Sequence, residues 1–307
     1  MAVTPNRIYT TLTSRGLHHD TLPMRLYHKA KKLGTWDPRD IDLTQDRLDW
    51  LRLSEDHQGR LRNLVISFQA GEEAVTLDLL PLIMTIAREG RLEEEMFLTT
   101  FLWEEAKHTE FFRRVLDEVL QEKDDLHMIT SPSPSNGRDL FADVLPREMN
   151  RLLTDPSPEN QVRASILYNM IVEGVLAETG YYSYSRLLSE SGMMPGLLQG
   201  IQLIKRDESR HIAYGVFLIS RLVAADQSLW PIVENRMNEL FSSIERDQQK
   251  NGTVEPVRLF ARQQFEKRLA RISRAREQSV EQIYRSTESE EAAESEAEGP
   301  GLAGHNA

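Results

Sequence analysis

Two five-residue stretches constrain this chain more than anything else in it: Glu104-Glu105-Ala106-Lys107-His108 and Asp207-Glu208-Ser209-Arg210-His211. Each contains Glu-x-x-His. Positions three apart share one face of a helix, so each stretch aims a carboxylate and an imidazole at the same point. A further glutamate stands upstream of each, Glu72 before the first and Glu173 before the second. The order is therefore Glu72, Glu105 with His108, Glu173, then Glu208 with His211. A fold that gathers those segments must set several acids against one another in its interior.

The sequence around them is helical in pattern. Ser54 is a good N-cap with two acids behind it, and Leu61, Leu64, Val65, Phe68, Val75, Leu79 and Leu80 follow at near-helical spacing. Pro81 is expected to kink or end this helix, which resumes to Arg88 and stops at Gly90. A second long helix is expected from Leu92 to about Gln121, a third from Pro158 to about Glu190 and a fourth from about Gly196 to Ala224. Between them lie a polar Ser/Pro-rich connection over 123–138, suited to a long crossover, and a helix over 139–153 interrupted near Pro146. Two further helices are expected over 229–249 and 254–285. Residues 1–53 read as an N-terminal arm with short helices around 24–32 and 40–53, the latter opening on Asp40. Residues 54–285 form the helical domain, and the acidic, apolar-poor stretch 286–307 is expected to be disordered. No β pattern is visible.

Composition removes several classes. The chain has no cysteine, so disulfides, iron–sulfur clusters and thiolate zinc sites are excluded. Any metal must be held by His and carboxylate, donors that suit iron and manganese. A net charge of -11 argues against a nucleic-acid partner. No secretory signal and no membrane span are expected, so a cytoplasmic enzyme is.

Buried carboxylates repel one another and are costly to desolvate. Two divalent cations would cancel four glutamates, with one neutral imidazole bound to each. Two Glu-x-x-His helices plus two single-Glu helices are the donor set of the ferritin-like di-metal bundles, and an all-α, ferritin-like four-helix bundle with additional helices is the expected fold. Spacing leaves alternatives open: Glu72 or Glu73, Glu104 or Glu105, Glu173 or Glu178. Only Glu105 has the three-residue spacing to His108. Asp207 is either an exposed helix acid or the acceptor for His108 or His211. Tyr168 reads as a core side chain, and Tyr181 and Tyr182 invite the same reading. His18, His19, His28, His57, His127 and His305 have no partner pattern and read as surface or structural.

Four stretches together resemble the ligand-binding oxidases related to the small subunit of class I ribonucleotide reductase: Phe68-Gln69-Ala70-Gly71-Glu72-Glu73-Ala74-Val75, Trp103 to His108, Tyr168-Asn169-Met170-Ile171-Val172-Glu173-Gly174 and Arg206 to His211. The resemblance covers roughly residues 54–224. It implies a manganese–iron pair, with Glu72, Glu105 and His108 on manganese and Glu173, Glu208 and His211 on iron. It also implies molecular oxygen as oxidant, two-electron oxidation of an unactivated C–H bond, a buried long-chain fatty acid with its carboxylate on the metals, and a homodimer. An ether bond between a Val and a Tyr is part of the family pattern. Val75, three residues after Glu72, and Tyr168, five before Glu173, hold those positions, which favours Glu72 over Glu73 and Glu173 over Glu178. A radical-generating reductase subunit, a di-iron desaturase or oxygenase, and a ferroxidase or storage protein are the alternatives. The acidic tail, with no aromatic after Tyr284, weighs against the reductase subunit, and the chain length against storage.

Overall fold

The computed structural model describes residues 9–123, 140–188 and 192–287. The expected crossover from residue 124 onward, the acidic tail beyond residue 287, His127 and His305 lie outside them. Every regular element among the described residues is helical.

The first core helix, Glu55–Asp78, starts where Ser54 accepts a hydrogen bond from the His57 amide at 3.4 Å. Glu55 and Asp56 then sit in the first turn, against the positive end of the helix dipole. The helix breaks at Leu79 and resumes as Leu80–Arg88, with Pro81 in the first turn, where its missing N–H leaves no bond unmade. Gly90, at φ +70°, ends it. The second core helix, Leu92–Arg114, runs on through a π-helical stretch, Val115–Leu120, to a left-handed Gln121. The third has three parts: Pro158–Ser165, a π-helical segment Ile166–Ala177, and Glu178–Leu188. The fourth, Pro195–Ala225, is the longest.

Core helices one and two pack side by side, and the fourth lies against the π-helical part of the third and against the second. Trp230–Lys250 and Glu255–Ser273 cover the outer side of the third. Two boundaries differ from expectation. The helix over 254–285 is two, Glu255–Ser273 and Val280–Arg285, because Ser279 and Gln282 form a capping box that starts a new helix. The helix over 40–53 shrinks to Thr44–Trp50, since Asp42, not Asp40, accepts from the Thr44 amide at 2.9 Å. Near Pro146 the helix over 139–153 is divided as expected, a π-helical stretch Leu140–Val144 giving way to the α-helix Leu145–Arg151 with Pro146 in its first turn.

The apolar core is split in two. Leu61, Val65, Ile66, Phe111, Phe112, Ile201 and Ile204 belong to one half. Val75, Phe97, Phe101, Ile212, Val216 and Phe217 belong to the other. On the first, second and fourth core helices the switch falls at Glu72, at Glu105 and His108, and at Glu208 and His211. A polar layer therefore crosses an otherwise apolar bundle.

The N-terminal stretch reaches this layer. The helix Leu22–Leu33 buries Leu22, Met24, Leu26 and Ala30 against the second and fourth core helices. Gly34 follows, so close to the bundle that an added Cβ would lie 2.1 Å from Glu104 Oε1 and 2.8 Å from the Ala30 carbonyl. That approach delivers Trp36 to the interior. Gly34→Ala is expected to lower the stability of the metal-free protein by about 1–3 kcal/mol, the usual cost of overpacking. Urea unfolding measures it, and an unchanged midpoint would show that the chain gives way without strain.

Candidate metal centre

The six candidate ligands come together. Glu72, Glu105, His108, Glu173, Glu208 and His211 are all buried, at 4% exposure or less. One group joins Glu72, Glu105, His108 and Glu208; a second joins Glu105, Glu173, Glu208 and His211; within each, one ligand atom per residue lies within 4.8 Å of all the others. Glu105 and Glu208 are common to both. Glu105 turns Oε2 toward His108 Nδ1 at 3.6 Å and Oε1 toward His211 Nδ1 at 2.9 Å. Glu208 does the same with the oxygens reversed, at 3.4 and 3.6 Å. Glu72 lies 3.6 Å from His108 and Glu173 3.9 Å from His211, each on its own side.

The neighbouring acids sort themselves. Glu73 points outward and is exposed, while Glu178, though buried, joins neither group. Glu104 is buried and turned the other way, accepting from His211 Nε2 at 2.9 Å. Asp207 is not exposed: its Oδ2 accepts from His108 Nε2 at 3.3 Å. The acid preceding each paired glutamate thus reaches the imidazole of the opposite helix. Lys107 and Arg210 balance them. Lys107 Nζ donates to Asp207 at 3.0 Å, and Arg210 bonds both Glu104 and Asp207. Trp36 Nε1 donates to Asp207 Oδ2 at 2.8 Å.

The cluster's unmade hydrogen bonds fit metal ions. Both oxygens of Glu105, Glu173 Oε1, Glu208 Oε2, and Nδ1 of both His108 and His211 are buried without a hydrogen-bond partner. Buried polar atoms are rarely left unpaired, because desolvation without a partner costs about 1–3 kcal/mol each. Here the unpaired atoms converge on two points, and all are lone-pair donors. With its proton on Nε2, each imidazole turns a free Nδ1 lone pair to the carboxylates. The residues fit a pair of divalent cations.

Charge says the same. Burial pushes Glu72 up to about 8 and drives Glu173 well above the carboxylate range, with Glu208 adding like-charge repulsion to the latter. Burial also opposes ionisation of Glu105, yet the two imidazoles hold it near 2. Burial disfavours charge on both histidines, but the surrounding carboxylates outweigh it and raise them well above their usual value, Asp207 leading for His108 and Glu104 for His211. Without metal, burial and charge together favour protons in the place of cations.

Tyr168 is fully buried in the π-helical segment, and its hydroxyl donates to the Val75 carbonyl at 2.9 Å. Five positions apart on an α-helix lie about 140° apart, whereas the i→i+5 bonding of a π-helix brings them onto one face. Tyr168 and Glu173 are five apart. Asn169, between them, donates to Glu173 Oε2 at 3.0 Å and accepts from Ser165 Oγ at 2.9 Å. Phe101 lies flat on His211, ring centroids 3.6 Å apart, and meets the Tyr168 ring edge-on at 6.0 Å. Tyr181 and Tyr184 are buried beside Phe68 in the other apolar half, whereas Tyr182 stacks on Phe260. His19 and His28 stack on each other, and His57 meets Ser54.

Known proteins match this arrangement closely. A family model described as ribonucleotide reductase, small chain, matches residues 22–250. A solved glycine-to-phenylalanine variant of an R2-like ligand-binding oxidase, with anaerobically reconstituted Mn/Fe cofactor, is 39% identical over 87% of this chain and 99% of that one, with a TM-score of 0.81. The R2-like ligand-binding oxidase of Sulfolobus acidocaldarius is 40% identical over 90% of this chain and 98% of that one, with a TM-score of 0.81. A valine-to-leucine variant with aerobically reconstituted Mn/Fe cofactor is 39% identical over 87% and 98%, with a TM-score of 0.80. The chain belongs to the ribonucleotide reductase small-chain family, among its R2-like ligand-binding oxidases. It is a di-metal carboxylate oxidoreductase. Among the described residues no single helix is long and apolar enough to cross a membrane.

The motif pattern missed Trp36, Lys107 and Arg210. A signal for two of them was present: both stretches read acid-Glu-x-base-His, so the base repeats as regularly as the ligand pair. Nothing local announces Trp36, which arrives from far along the chain.

The raised groups set a pH dependence. Glu72 holds its proton to about 8 when folded against 4.5 as its ordinary value. Its stabilising contribution to the metal-free protein is full below the unfolded value and lost as pH rises toward the folded one. Glu173, His108 and His211 shift upward and act with the same sign. Glu105 acts oppositely, but only below its unfolded value. The melting temperature of metal-free protein is expected to fall between about pH 5 and 8, and Glu72→Gln to flatten part of that fall. A melting temperature that climbs across the window would contradict the charge distribution described here.

Proposed function

We propose that this chain is an oxygen-activating oxidase with manganese held by Glu72, Glu105 and His108, iron held by Glu173, Glu208 and His211, and Glu105 and Glu208 shared between them. The observation that carries this reading is the set of buried, unpartnered lone pairs converging on two adjacent points. The Mn/Fe cofactor of the related solved oxidases supports the choice of metals. Bound there, the pair would supply oxygen reduction coupled to two-electron oxidation of a C–H bond.

The chain's own residues set up that chemistry. Glu104 and Asp207 hold the two imidazoles in the orientation that leaves Nδ1 free. Phe101, Tyr168 and the apolar halves above and below keep bulk water from the layer. The Tyr168 hydroxyl lies against the Val75 backbone, donating to its carbonyl. Joining the phenol oxygen to a Val75 carbon removes one hydrogen from each, two electrons and two protons in all, with oxygen as acceptor. A long-chain fatty acid with its carboxylate at the metals completes the reading, as do a homodimer and a cytoplasmic location.

Two measurements test it. Glu208→Ala is expected to abolish metal-dependent oxygen consumption while circular dichroism stays helical; full activity would remove Glu208 from the site. Peptide mass spectrometry after aerobic loading with manganese and iron is expected to find the Val75 and Tyr168 peptides joined with two hydrogens lost, and unjoined in the metal-free control. Two bound metals without the link would favour a reductase subunit, in keeping with the matching family described as ribonucleotide reductase, small chain.

A further inference from the structure

The two metal-holding halves are alike in ligand set, yet any nitrogen–oxygen site takes iron more tightly than manganese. Something beyond the ligands must separate them. The acids behind the imidazoles do. Among the described residues, Glu104 Oε2 accepts from His211 alone, at 2.9 Å, while Arg210 occupies its other oxygen. Asp207 Oδ2 is shared by three donors: Trp36 Nε1 at 2.8 Å, Lys107 Nζ at 3.0 Å and His108 Nε2, the most distant, at 3.3 Å. Arg210 takes the other oxygen of Asp207 as well.

A carboxylate that accepts an imidazole N–H raises the donor strength of the ligating nitrogen. Glu104 does this fully for His211. Asp207 does it less for His108, because its negative charge is divided with a buried ammonium and an indole N–H that lie closer. Lys107 is fixed in that role. Its ammonium lies 4.5 Å from the Trp36 ring centroid and 4.4 Å from that of Trp103, and also bonds the Gly34 carbonyl. Trp36 in turn stacks along His108, centroids 6.2 Å apart and planes within 16°. Arg210, shared by both acids, cancels from the comparison.

We propose that Lys107, with Trp36, is a specificity-determining pair that weakens Asp207 as acceptor for His108, so that the His108 side discriminates least against manganese while the His211 side retains the ordinary preference for iron. The inference rests on the metal assignment proposed above. Lys107 touches no ligand position itself and acts through Asp207, as a positioning residue.

The test is metal uptake without oxygen. Full-length metal-free protein is loaded anaerobically with equal Mn2+ and Fe2+, the bound metals are counted by mass spectrometry, and each site is assigned by anomalous diffraction at the two absorption edges. Wild type is expected to hold one of each, with manganese beside His108. Lys107→Gln frees Asp207 for His108 and is expected to lower the manganese-to-iron ratio there on the order of tenfold. Lys107→Arg restores the charge and is expected to restore the ratio, which a merely structural role for the side chain would not require. Trp36→Phe is expected to shift the ratio in the same direction by less, and decides the matter if Lys107→Gln does not fold. Wild-type loading by Lys107→Gln, or by Trp36→Phe in its place, beside a mixed wild-type pair overturns this inference alone. A wild type that takes up no manganese overturns the metal assignment and the inference with it.

Discussion

Four glutamates packed into one interior layer are the constraint on which the rest of this structure depends. Left ionised and uncompensated, they would unfold the bundle, since burying even one unpaired charge costs several kcal/mol. Counter-charge must come from cations or from protons, and without metal the balance of burial and charge favours protons there: Glu72 and Glu173 are pushed toward neutrality, both imidazoles toward the charged form. Metal binding has to displace them, so folding, protonation and metal uptake are one coupled equilibrium. The apolar halves on either side follow from the same constraint. They supply the hydrophobic stabilisation that a layer of acids removes, and they keep the layer dry enough for charge to matter.

The surrounding network is held to near neutrality in a second ring. Glu104 and Asp207 contribute two negative charges, and Lys107 and Arg210 two positive ones. Because each acid reaches the imidazole of the opposite core helix, the second and fourth helices are tied through the site twice, in a crossed pair. The ring also recruits the N-terminal stretch, since Trp36 donates into it and the Gly34 carbonyl accepts from Lys107. A stretch that reads as an arm in the sequence is thereby part of the metal surroundings.

Much of this was legible before the structure. Helix periodicity, the Pro81 break, the Gly90 stop and the Glu-x-x-His spacing are local properties, and local properties survive folding. The choice between Glu72 and Glu73 was not legible from spacing, because one residue turns a helical side chain by about 100° and only packing says which side is inside; Glu72 faces in and Glu73 out. The helix over 254–285 looked continuous because a capping box at Ser279 is a side-chain event that periodicity does not register. Trp36 was invisible for a different reason. Its contact with Asp207 spans 171 residues, and no pattern along the chain encodes a contact at that distance.

The third core helix shows how a local departure can serve a distant requirement. An α-helical run through Ile166–Ala177 would set Tyr168 and Glu173 on different faces, and one of them would leave the site. The π-helical register lets Tyr168 reach the Val75 carbonyl while Glu173 joins the buried acid cluster, at the cost of poorer backbone hydrogen bonding over an unusually long stretch. Such a cost persists only where the surrounding structure fixes it. Here the fixing contacts are visible: Tyr168 bonds the Val75 carbonyl, Asn169 bonds Glu173, and Ser165 bonds Asn169. The first joins the departure to Val75, the second joins it to Glu173, and the third holds Asn169 in place for the second. The irregular helix is therefore best understood as the means by which one segment presents a ligand carboxylate and a phenol together, something a regular helix with the same residues at the same spacing does not do.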